Sequence, residues 1–134
     1  MAGSPAEQIK DLLVTDGLGT FGTNLFVGLT PDGPDACVAV YDAGGAAPNP
    51  KWALDQPNVM IRVRGAKGDY AGAYAKARAV RDALVGRAPG GEIRGITGRG
   101  DVNHLGTDEG GRHILTVNCV VTMQPAAAGH RTAI

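Results

Sequence analysis

Large apolar side chains are scarce in this chain, and glycine is abundant. Leu, Ile, Val and Phe together make up about a fifth of the 134 residues, close to the roughly 20% below which chains tend to stay disordered. Alanine supplies much of the 43% counted as hydrophobic, while 21 Gly and 8 Pro add entropy cost or stiffness rather than contacts. The length allows one domain with a small core, for which a partner or an oligomer is a welcome source of stability.

Thirteen basic residues balance thirteen acidic ones, which argues against a protein whose main work is gripping nucleic acid or an anionic membrane. No stretch approaches the ~20 apolar residues of a membrane span. The start, MAGSPAEQIKDLL, lacks the basic-then-apolar order of a secretory signal, so a protein made in the cytosol is expected. Cys37 and Cys119 are too few for a disulfide scaffold and too far apart for a zinc knuckle, and read as small core residues.

Ser4-Pro5-Ala6-Glu7 has the form of a capping box and predicts a helix from about Pro5 to Val14, with Ile9, Leu12 and Leu13 inward and Gly17 and Gly19 as the stop. Leu25–Val27 and Ala36–Tyr41 are β-prone runs around the turn Thr30–Asp35, which suggests an antiparallel pair. Asp42 to Pro57, with its Gly and Pro and few branched residues, reads as a long exposed loop carrying the single Trp, Trp52. Val59, Ile61 and Val63 alternate with Met60, Arg62 and Arg64, the period of a half-buried strand.

Asp69 is a plausible N-cap for a helix reaching Leu84, with Tyr70, Ala73, Ala77, Val80 and Leu84 at helical spacing. Glu92–Thr97 reads as a strand, Gly98–Gly111 as a polar loop and His113–Met123 as a final strand with Leu115, Val117, Cys119 and Val121 on one face. The expected class is α+β: one domain over residues 1–123, a mainly antiparallel sheet of four to five strands packed by helices on one face, and a flexible tail over 124–134.

Gly17-Leu18-Gly19-Thr20-Phe21-Gly22 matches the dinucleotide pattern G-x-G-x-x-G. Its glycines follow a helix instead of joining a strand to one, so they read as a helix stop and leave a nucleotide-binding enzyme as a remote alternative. Arg99-Gly100-Asp101 has no supporting context as an adhesion tripeptide. His104, Asp108, Glu109 and His113 share no periodic face that would make a metal site. No nucleophile elbow or triad spacing is present, so no catalytic residue, cofactor or metal is expected. Asp108, Glu109 and Arg112, across a Gly turn, suit a charge-assisted clamp or an exposed turn, and Arg62, Arg64, Arg94, Arg99 and Arg112 could line a DNA-facing surface, form ordinary polar faces or make subunit salt links.

Three segments in order resemble the tail-terminator proteins of siphophages, a family of minor capsid and tail-completion proteins. They are Tyr41-Asp42-Ala43-Gly44-Gly45 through Pro48, Pro57-Asn58-Val59-Met60-Ile61-Arg62-Val63-Arg64, and Asp69-Tyr70 opening the Ala-rich helix. Leu105-Gly106-Thr107-Asp108-Glu109-Gly110-Gly111-Arg112 and Asn118 extend the likeness, which spans about Leu12 to Thr122. The resemblance implies a non-enzymatic virion protein, made in the host cytoplasm and placed at the head-tail joint. It implies a homo-hexameric ring that caps the head-proximal end of the tail tube, stops its polymerisation and meets a head-completion (stopper) or connector protein. Genomic DNA would pass through the lumen without specific binding, which suits a neutral chain. Trp52, Arg62, Arg64, Asp108, Glu109 and Arg112 are the interface candidates; a different connector component, stopper or adaptor, is the alternative reading.

Overall fold

The computed structural model describes residues 3–49 and 54–124. Its first helix, α1 (Pro5–Thr15), is started by the local sequence: Glu7 N–H donates to Ser4 Oγ at 3.2 Å, and Ser4 N–H donates back to Glu7 Oε1 at 3.1 Å. Gly17, at φ 75°, ends it. Leu18 N–H reaches Leu13 O at 2.9 Å and Gly17 N–H reaches Val14 O at 3.0 Å, a Schellman closure that folds Leu18 back against the core.

The strands are β1 (Leu25–Val27), β2 (Cys37–Asn49), β3 (Leu54–Lys67), β4 (Ile93–Gly98), β5 (Asn103–Thr107) and β6 (Arg112–Met123), with α2 (Tyr70–Leu84) between β3 and β4. They form one sheet in the order β1-β2-β3-β6-β4, with β5 also on β6. β4 pairs with the end of β6, Ile93 opposite Met123, and β5 with its beginning, Asn103 opposite Thr116. The two are successive pieces of one edge, interrupted at Gly100, where φ is 88°.

Val38, Val63 and Leu115 lie side by side, as do Val40, Ile61 and Val117, so one face of the sheet is a continuous apolar surface. Ala6, Ile9 and Leu13 of α1 and Ala73, Ala77, Val80 and Leu84 of α2 cover that face, and all are buried. Asp69 caps α2 by accepting from Gly72 N–H at 2.9 Å. Small residues let α2 lie close to β3: a Cβ on Gly65 would sit 2.6 Å from the Ala73 Cβ. The fold is thus a single α+β domain, a mixed sheet with two helices on one face.

The structure corrects the sequence reading at three places. β1 and β2 pair in parallel, with Leu25 opposite Val38, because residues 28–36 carry the chain back to the starting end of the sheet instead of turning it through a hairpin. In the segment read as a loop from Asp42 to Pro57, the described residues 42–49 and 54–57 belong to β2 and β3 and pair with each other, bent by register shifts after Asp42 and Ala46. The loop read over Gly98–Gly111 contains β5, an edge strand whose Asn, His and Gly carry almost no β propensity and which forms because β6 offers it a partner. Trp52 and the tail over 125–134 lie outside the described residues.

Candidate interaction surface

Two arginines on the helix-free face fasten the segment between β1 and β2. Arg64, on β3, is only 5% exposed. Its Nε donates to Asp35 O at 2.8 Å, and one terminal nitrogen donates to Pro34 O at 2.7 Å and to Asp32 O at 3.3 Å. Arg112, at the start of β6, donates to Asp32 O at 2.6 Å, Asp35 Oδ1 at 3.2 Å, Asp32 Oδ1 at 3.3 Å and, through Nε, Asp108 Oδ2 at 2.9 Å. Thr30 and Tyr41 share a further hydroxyl hydrogen bond. Segment 28–36 contributes no buried apolar anchor, so these polar bonds decide where it lies.

The β5–β6 turn is organised by the same residues. Asp108 Oδ1 accepts the backbone N–H groups of Gly110 and Arg112, both at 3.0 Å. The Arg112 N–H, followed by its guanidinium, holds the Asp108 carboxyl below its ordinary value. Burial opposes the charge on the Arg112 guanidinium, but Asp32 and Asp108 outweigh it and raise its pKa. Glu109 stands at the tip of the turn and lines an open cleft with Asp32, Asp35, Lys67, Asp108 and Arg112. Arg62 lies mid-face between Ala39 and Thr116, half-buried, with an Nε that finds no hydrogen-bond acceptor among the described residues.

The candidates therefore separate by place. Arg64, Asp108 and Arg112 meet at the end of the sheet where segment 28–36 is tied down, Glu109 faces solvent beside them, and Arg62 stands apart on the open face. Asp32 and Asp35 complete the clamp and were not singled out in the sequence. Their only sequence signal is a turn-forming Pro-Asp-Gly-Pro-Asp, which says nothing of a partner 80 residues away.

The other residues weighed in the sequence serve as links in the chain. Gly17 closes α1, and Gly22, at φ 85°, opens the turn into β1. Asp101 joins the β4–β5 link to α2 through Arg78 at 3.1 Å and Arg81 at 3.4 Å. His104 and His113 meet across β5 and β6 with ring nitrogens 3.1 Å apart, beside Tyr70. Among the described residues no group of three or more His, Cys, Asp or Glu is gathered as a metal site, and no helix is long and apolar enough to cross a membrane.

Comparison with known proteins places this arrangement. A chain of the solved structure titled "Virion of native gene transfer agent (GTA) particle" superimposes with a TM-score of 0.63 over 90% of this chain and 98% of that one, at 20% identity, and so shares the fold. Comparison with curated proteins finds no match. The family model described as "Bacteriophage tail terminator protein" matches residues 12–125, which takes in the last turn of α1, all of α2, all six strands and the clamp. The chain belongs to the bacteriophage tail terminator family and is a structural protein of the phage tail.

Proposed function

We propose that the protein closes as a homo-hexameric ring on the head-proximal end of the tail tube, stops further addition of tube subunits and presents its other side to a head-completion (stopper) or connector protein. The observation that carries this reading is the tail-terminator match over residues 12–125. Balanced charge fits a lumen through which genomic DNA slides without counterion-releasing contacts. A closed head-to-tail ring leaves no open interface, which suits a device that ends polymerisation.

The axial contacts are assigned to two projections. One is the outer part of β2 and β3, with Trp52, which follows β2 in the sequence, as an anchor. The other is the β5–β6 turn, where Glu109 is displayed by the Asp108–Arg112 clamp. Arg62 is assigned to a subunit contact on the open face, and Arg64 and Arg112 serve these surfaces by fixing segment 28–36. No catalytic step is assigned to any residue.

The test is polymerisation of purified tube protein with and without this protein, followed by electron microscopy. The reading requires shorter tubes capped by a ring at one end. Tubes of unchanged length with bare ends would sink it. Trp52→Ala that leaves tail length and head joining unchanged would remove Trp52 from the assignment alone.

A further inference from the structure

Among the described residues, the exposed large apolar side chains fall at two places only. Val14, Phe21 and Leu29, 41%, 56% and 53% exposed, lie along the β1 edge. Phe21 bridges to Leu25 from outside the sheet, Leu29 follows the end of β1, and Val14 is one turn along α1 from Lys10. The Lys10 ammonium sits 4.5 Å from the centre of the Phe21 ring. Tyr70, Tyr74 and Leu105, 43%, 39% and 56% exposed, lie at the opposite edge. Leu105 belongs to β5, and Tyr70 stacks on Tyr74 and meets His104 and His113 edge-on.

The sheet is five strand positions wide, so roughly 19 Å separates its edges and one patch cannot cover the other within a copy. A two-fold contact at the β1 edge would leave the tyrosine edge bare. A head-to-tail contact covers both patches in every copy and brings Lys10 to a second set of aromatic faces, which attract a cation. Backbone pairing between copies is blunted on both sides. The turn before β1 takes up Leu25, whose N–H reaches Thr20 O at 3.2 Å and whose carbonyl accepts from Gly22 N–H at 2.9 Å. β5 carries a register shift between His104 and Gly106.

We infer that the Val14–Phe21–Leu29 edge of one copy packs by its side chains on the Tyr70–Tyr74–Leu105 edge of the next, and that these two edges hold the ring. This deepens the ring proposed above and rests on it. The occupant of each patch is a second copy of this chain.

The experiment is cysteine cross-linking with a short bis-maleimide, on wild-type background assemblies in solution or on tube ends. The variants are Phe21→Cys, Leu105→Cys and the double variant, and the native Cys37 and Cys119 are buried. The double variant should give a ladder of covalent species up to the closed ring, and each single variant should stay monomeric. Covalent dimers from either single variant would show like edges meeting and overturn the inference. A ring visible by microscopy with no ladder from the double variant would overturn the edge assignment while leaving the ring intact. Absence of any ring, with or without tubes, would remove the ring reading and this inference with it. As a second measurement, Phe21→Asp and Leu105→Asp should each abolish rings alone and form a complex of two copies when mixed; rings from either variant alone contradict the pairing.

Discussion

The Arg112 guanidinium donates to the carbonyl of Asp32, 80 residues earlier, at 2.6 Å, and to the carboxylate of Asp108, four residues earlier, at 2.9 Å. One side chain thereby ties the crossover between β1 and β2 to the β5–β6 turn, two surfaces remote in sequence.

Loss of that tie should act locally first. Arg112→Ala is expected to leave the helices and the sheet formed while residues 28–36 become the earliest site of proteolysis and of amide exchange. Arg64→Ala removes three bonds to carbonyls from a buried position and should cost about 3 kcal/mol in chemical denaturation. An unchanged exchange pattern in both variants would contradict the claim that polar bonds hold this segment.

Asp108 sets an acid limit. Its carboxyl titrates below the ordinary value in the folded chain, chiefly because Arg112 N–H donates to it, so its contribution is present above the unfolded value and is lost as pH falls through the folded one. The Tm difference between wild type and Asp108→Asn should be largest near neutrality and shrink as pH drops below about 4. A difference independent of pH would mean that the carboxylate charge is immaterial.

The two thiols should be silent in the native protein. Burial pushes Cys119 up to about 11 and also raises Cys37, despite the nearby Arg64. A chromogenic disulfide reagent should titrate neither thiol until denaturant is added, then both. Rapid labelling of the folded chain would contradict the burial.

Close approach of α2 to β3 makes Gly65 intolerant of a side chain. Gly65→Ala should destabilise by about 1 to 3 kcal/mol, because the new methyl meets Ala73. Gly95→Ala meets nothing within 4 Å and should be near neutral. Equal effects in the two variants would show that the contact has no weight.

The sequence was legible where the signal is local. Ser4 with Glu7, Gly17, and the alternation of Val59, Ile61 and Val63 each set their own geometry within a few residues, so both helices and the central strands could be read. The face of the final strand, Leu115 to Val121, was equally plain. What could not be read is set by contacts far along the chain. The parallel sense of β1 depends on where residues 28–36 travel, β5 exists because β6 lies beside it, and the outer arms of β2 and β3 are strands without strand-like composition because each is the other's partner. In the clamp, Asp108 and Arg112 sit four residues apart and announce themselves, whereas Asp32 and Asp35 meet Arg112 only through the topology.

The proposed function is that of a ring that ends tube growth. Light scattering over a range of concentrations, on the protein alone and then with tube protein, measures it most directly. A six-subunit species, free or formed on adding tubes that it then shortens, is the predicted result. A monomer at every concentration, with tube length unaffected, would contradict the account.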